Sequence, residues 1–175
     1  MMIAMRTICT FLIAASALGA LADGTNAPPS IETRMSKPVP TFFLKNLAGF
    51  EVCSTNYAGT TRLVWFWASW DKPCQKQLPV LMELQRDCAT SGVVVLGLSL
   101  DKPDAATLKE FAATNSINFP ILFADFGAIQ GFGGLDAIPT LFVVEPHGVI
   151  ISRYVGYTDK DTLKRILKAI FDSPR

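Results

Sequence analysis

The residues that could do chemistry gather in one short stretch, Trp65 to Cys74, which reads WFWASWDKPC. Cys74 is a thiol directly after Pro73, and Asp71 stands three residues before it. Proline suits the first position of a helix, because its missing N–H would have no intrahelical partner there and its φ is already helical. Aspartate is among the best N-cap residues: its carboxylate accepts from free first-turn amides and lies at the positive end of the helix dipole. The spacing therefore predicts a helix beginning at Pro73, with Asp71 or Lys72 flanking its start. Cys74 then feels two opposed influences, since a helix N-terminus lowers a thiol pKa and a nearby carboxylate raises it. Three roles stay open for Asp71: a cap, a charge that imitates a thiolate, or an acid–base helper to Cys74.

The remaining reactive side chains are scattered. The sequence has four cysteines and one histidine. Cys9 lies in an N-terminal apolar run, Cys53 follows a strand-like segment, and Cys88 falls on the inward stripe of the helix that Cys74 begins. Phe50 and Val52 share a face, so alternation points Cys53 the other way. A Cys53–Cys88 disulfide would close a stabilising loop, but that alternation makes separate thiols the default expectation. Cys74 and Cys88 cannot pair, because one helix holds them roughly 21 Å apart. His147 sits in a Pro-His-Gly turn expected at the far end of the sheet from Cys74. A Cys/His metal site would need a second cysteine and a histidine close to Cys74, so no metal and no cofactor is expected.

These residues need a scaffold, and the chain supplies its parts in order. Of its 175 residues half are hydrophobic, enough for one domain with a sizeable core. Lysine plus arginine (16) and aspartate plus glutamate (15) nearly cancel, so nothing concentrates the positive field that a nucleic-acid partner requires. Residues 1–22 have the layout of a secretory signal: one basic residue, an apolar run, then Ala20-Leu21-Ala22 before Asp23. The run is shorter than the roughly 20 residues a membrane span needs. Membrane contact is thus expected only through an uncleaved leader, and the mature chain is expected in a periplasm or outside the cell. There disulfides are permitted, and three remaining cysteines leave at least one thiol unpaired.

Residues 23–37, rich in Pro, Ser, Thr and Asn, read as a linker, and residues 38–175 as the domain. TFFLKNLAGFEVCS reads as an N-terminal hairpin turning at Ala48-Gly49. RLVWFWAS and VVVLGLSL are apolar enough for strands covered on both faces. The first helix is expected to run from Pro73 to about Ser91, with Gly92 as its stop. A second helix follows over DAATLKEFAATNS with Leu108 and Phe111 inward, then a short strand or extended segment in FPILFAD and a loose helical turn through Gly131. A hairpin turning at Pro146-His147-Gly148 and a closing amphipathic helix complete an α/β three-layer sandwich, a mixed central sheet with helices on both faces.

LVWFWASWDKPC, Pro79 inside the following helix, FPILFAD, the Ile138-Pro139-Thr140 run and the EPHG turn together resemble the thioredoxin superfamily. Over roughly residues 38–172 the resemblance is to its exported TlpA/ResA-like branch, the thiol–disulfide oxidoreductases or redoxins. It implies a thioredoxin-like fold with a cis-proline at Pro139 facing the helix start. It also implies a groove in which Trp67, Trp70, Pro73, Ile138, Pro139 and Thr140 meet an extended segment of an exported protein or peptide. Members work with a Cys-x-x-Cys pair whose first cysteine attacks a disulfide. Here Asp71 occupies that place, Trp65 stands where relatives often bury an Asp or Asn, and Gln77 where this branch often has a Glu. Because a carboxylate cannot form a disulfide, ordinary dithiol exchange is expected to be impaired, with partner binding in its place. The alternative is a single-cysteine enzyme, a peroxiredoxin-like peroxidase or a monothiol exchanger using Cys74. Peroxide chemistry would need Arg62 or Arg153 aimed at the thiol.

Overall fold

The structure, a computed structural model, describes residues 31–102 and 105–172. The proposed leader and the first residues of the expected linker lie outside this span. The centre is β4 (Thr61–Trp67), whose seven residues are all buried, paired in parallel with β5 (Val93–Ser99). Short β6 (Ile121–Phe123) continues the parallel side. On the other side β7 (Thr140–Val144) runs antiparallel to β4, followed by β8 (Val149–Val155) and β1 (Ile31–Pro38). The six-stranded order is β1-β8-β7-β4-β5-β6. The hairpin β2 (Phe43–Lys45) and β3 (Glu51–Cys53) forms a separate two-stranded sheet.

The continuous apolar runs follow from burial on both faces. Leu63, Trp65, Trp67, Val93, Val95, Leu141 and Val143 point to one core. That core is closed by α1 (Lys72–Asp87), α2 (Ala105–Thr114) and α4 (Lys160–Asp172), through Leu78, Leu81, Leu84, Leu108, Leu163 and Leu167. The alternate residues, among them Val64, Phe66, Leu96, Leu98 and Phe142, point to a second core. It is covered by the hairpin residues Phe42 and Leu44 and by the short helix α3 (Phe126–Gly131) with Phe132. The three-layer α/β sandwich with a mixed sheet is as expected, with the hairpin sharing one outer layer.

Three expectations change. The linker does not extend to residue 37, because residues 31–38 are an edge strand. It escaped notice because its stability comes from backbone pairing with β8, while Glu32, Thr33, Arg34, Ser36 and Lys37 stay exposed and show no apolar alternation. The first helix ends at Asp87 rather than Ser91: Cys88 leaves helical geometry, and its N–H is shared between the carbonyls of Leu84 and Arg86. Phe50 does not share the burial of Val52: it is 72% exposed just before β3, whereas Val52 packs against the second core.

Candidate functional site

The site is built on the turn from β4 into α1. Trp67 ends the strand, Ala68-Ser69-Trp70 crosses the top of the sheet, and Asp71 caps the helix. The Asp71 Oδ2 accepts the backbone N–H of Cys74 at 2.9 Å, which satisfies one of the orphan donors of the first turn. Lys72 is the first helical residue and Pro73 the second, one place later than expected.

The crossing loop is held from the neighbouring strand by Asp101, a residue that the sequence reading passed over. Its carboxylate accepts the Ser69 N–H at 2.9 Å, the Ser69 hydroxyl at 2.7 Å and the Ser99 hydroxyl at 2.7 Å. The Gln75 side chain adds a bond to the Ser69 carbonyl at 2.7 Å. The available signal was positional: Asp101 lies just past the carboxyl end of a central parallel strand, where α/β sheets place their binding crevice.

Cys74 has no exposed surface. Burial is the main influence on its thiol and pushes the pKa well above the usual value. The hydrogen bond to Asp71 and the negative charges of Asp71 and Asp101 push the same way, against a smaller opposing contribution from the Ala68 backbone. The two opposed influences are thus resolved toward a protonated, shielded thiol.

Across the site the Ile138–Pro139 peptide is cis. The pairing of Phe66 with Thr140 sets Pro139 level with Trp67 at the end of β4. The Pro139 carbonyl accepts from the Gly156 N–H at 2.8 Å, and the Thr140 hydroxyl donates to the Ala137 carbonyl at 2.7 Å. Among the described residues, no protein group bonds the backbone N–H or C=O of Ile138. Ile138 packs against the same core as Cys74.

The expected groove residues therefore divide. Trp70 (67% exposed), Pro73 and the half-buried Ile138 offer surface. Trp67 does not, because strand alternation turns it inward, where it stacks on Trp65 with ring centroids 4.8 Å apart and lies 5.9 Å from the Phe111 ring. Thr140 is likewise fully buried and shapes the loop from within. Pro139 is buried beside it. Gln77 is also buried, and its amide bonds both backbone groups of Thr158: its Nε2 donates to the carbonyl at 2.8 Å, and its Oε1 accepts the N–H at 2.7 Å.

The other candidates lie elsewhere. Arg62 occupies the amino end of β4, where its guanidinium reaches the Glu145 carbonyl, and Arg153 pairs with Asp136 at 2.8 Å. Neither is among the groups that act on the Cys74 thiol. His147 sits exposed in the β7–β8 turn. Cys53, Cys74 and Cys88 are all free thiols. Among the described residues no group of three His, Cys, Asp or Glu is placed to hold a metal ion.

The profile of the AhpC/TSA family matches residues 35–153, well over half of the sequence. The chain belongs to the AhpC/TSA family. Within it the chain is 28% identical over 137 residues to the thiol–disulfide oxidoreductase ResA of Bacillus anthracis, covering 78% of this chain and 79% of that protein. It is 28% identical over 144 residues to the thioredoxin-like protein YneN of Bacillus subtilis, covering 82% and 84%. The fold superposes on a thiol:disulfide interchange protein from Chlorobium tepidum with a TM-score of 0.70 at 27% identity, over 77% of this chain and 96% of that one. It is a ResA/TlpA-like member of the thioredoxin superfamily, and by family a thiol–disulfide oxidoreductase of the thioredoxin/redoxin type. No helix among the described residues is long and apolar enough to cross a membrane.

Proposed function

We propose that this chain is an exported thioredoxin-like protein that has lost dithiol exchange and instead holds a segment of an exported protein or peptide. One observation carries the reading: the carboxylate of Asp71 occupies the attacking position, bonded to the N–H of a Cys74 that is wholly buried. In dithiol exchange, a substrate S–S bond becomes two thiols while two enzyme thiols become one S–S bond. With a carboxylate in place of the first sulfur that bond cannot form, and a shielded thiol of raised pKa supplies little thiolate to start a one-cysteine substitute. The binding half of the scaffold persists. Trp70, Pro73 and Ile138 present apolar surface, and the Ile138 backbone has groups to offer an added strand. Export is supported by the leader-like residues 1–22 and by the ResA- and DsbE-like relatives, which are typically exported. No observation favours the peroxidase reading, because neither arginine faces the thiol.

The test is reduction of insulin disulfides by dithiothreitol. The wild-type chain is expected to add nothing to the small-thiol rate, and Asp71→Cys to restore part of the activity of an intact relative. Wild-type turnover matching that relative would overturn the proposal.

A further inference from the structure

An apolar groove of about 330 Å³ opens on the β5–β6 side of the site, away from the cis-proline loop. Phe43, Leu44, Phe123 and Ala124 line it together with Asp101 and Asp125. Phe43 is 59% exposed, and Phe126, directly after Asp125, is 75% exposed. Large exposed rings around a concave surface mark places where something docks.

The charges say what docks there. Lys45 and Glu51, Cα partners across the β2–β3 pair, also line the groove and bring one charge of each sign, which leaves its balance unchanged. That leaves Asp101 and Asp125, neither ion-paired among the described residues. Asp101 spends its bonds on the Ser69 N–H and two serine hydroxyls, and Asp125 caps α3 by accepting the Ala128 N–H at 2.7 Å. Neither carboxylate thus has an ion-pair partner among the described residues. A purely apolar occupant would strip water from two carboxylates with no return, and an anionic one would be repelled. A lysine or arginine side chain meets both demands, its stem on the phenylalanines and its head at the carboxylates.

The groove is continuous with the site, since Asp101 holds the loop bearing Trp70 and also lines a second groove of about 320 Å³ beside that ring. Lys102 stands in the second groove, so a cation is disfavoured there and directed to the Phe43 side. We propose that the groove between Phe43 and Asp125 receives a lysine or arginine of the same segment that lies on Trp70 and the Ile138–Pro139 loop. The partner is thus a mixed apolar and basic peptide. This rests on the binding role argued above.

Fluorescein-labelled decapeptides test it. They share one apolar extended sequence and carry a single Arg, Gln or Glu at matched positions several residues from the centre, with affinity read by anisotropy. The Arg peptide should bind about tenfold more tightly than the Glu peptide, with Gln between, and high salt should shrink the difference. Asp125→Asn keeps the α3 cap but removes the charge, so it should erase most of the preference, as should Phe43→Ser. Equal binding of all three peptides, or an Arg preference unchanged in Asp125→Asn, would overturn this inference while leaving the binding role intact. No binding by any peptide would overturn both.

Discussion

Replacing Asp71 separates its structural role from its chemical one. The carboxylate makes one cap bond, 2.9 Å to the Cys74 N–H, and it also acts on the thiol of the same residue, raising its pKa. Asp71→Ala removes both. Loss of an N-cap costs roughly 1 kcal/mol, within a range of about 0.5–2. In a domain of this size that lowers the melting temperature by about 2–4 °C. Asn retains an acceptor at the cap, so Asp71→Asn should fall within a few tenths of a kcal/mol of wild type. The thiol should respond differently. Both substitutions remove the anionic partner and leave burial, the main cause of the raised pKa, in place. The Cys74 pKa should therefore drop in both variants yet stay above that of a free cysteine. Denaturant melts give the stabilities, and thiolate absorbance against pH, in a background with Cys53 and Cys88 changed to serine, gives the pKa. An Ala variant as stable as wild type would refute the cap. A thiol pKa unmoved in both variants would refute the contact between carboxylate and sulfur.

Three further outcomes follow from the same geometry. Because the folded Cys74 pKa lies above its unfolded reference of 9.0, its contribution is intact below that pH; above it the unfolded chain ionises first, and stability is lost. The stability difference between wild type and Cys74→Ala should thus shift against wild type by about 1.4 kcal/mol per pH unit above about pH 9, and a pH-independent difference would refute the shielded thiol. Gln77→Glu keeps an acceptor for the Thr158 N–H but loses the donor to its carbonyl, costing about 2 kcal/mol at neutral pH. Acid melts should restore that stability, because the raised folded pKa of the new carboxyl places its contribution at low pH, where the protonated group donates again; no recovery would refute it. A Cβ on Gly97 would lie 3.0 Å from the Trp67 Nε1 and 3.1 Å from the Phe119 ring, so Gly97→Ala should cost about 1–3 kcal/mol in melts; a neutral result would show that the indole has room to shift.

Legibility in the sequence tracked the kind of force involved. β4 and β5 were readable because a central strand covered on both faces must be apolar throughout, and α1 because Asp71 and Pro73 write its start into local chemistry. β1 was not readable, because an edge strand gains its place from backbone bonds to β8 and leaves its side chains free to be polar. Trp67 was misassigned for a similar reason. An aromatic residue in an apolar run carries no mark of its face, and only its position relative to the end of β4 turns it inward. Asp101 was marked only by its place after a central strand, because its distant partner Ser69 meets it only when two parallel strands align.

The three residues that depart from the Cys-x-x-Cys pattern each make a structural interaction. Asp71 cannot attack a disulfide, but it closes the first turn of α1. Trp65, where relatives often bury an acid, is fully buried and stacks on Trp67, and Phe119 meets its ring edge-on at 6.2 Å. An ionised carboxylate at that fully buried, aromatic point would be costly without a partner. Gln77, unlike an ionised glutamate, can both donate to and accept from Thr158, fixing α1 to the segment before α4 whatever the pH. A proton shuttle must change charge and a nucleophile must be reached by its substrate. Trp65 and Gln77 carry no titratable group, and all three residues serve packing or hydrogen bonding. What stays open at the same end of the sheet is Trp70, the Ile138 backbone and the Phe43 groove, the surfaces that the proposed binding would use. On the function proposed above, the site trades exchange chemistry for rigidity under a binding face, and Asp71→Cys alone is therefore expected to return only part of the exchange activity.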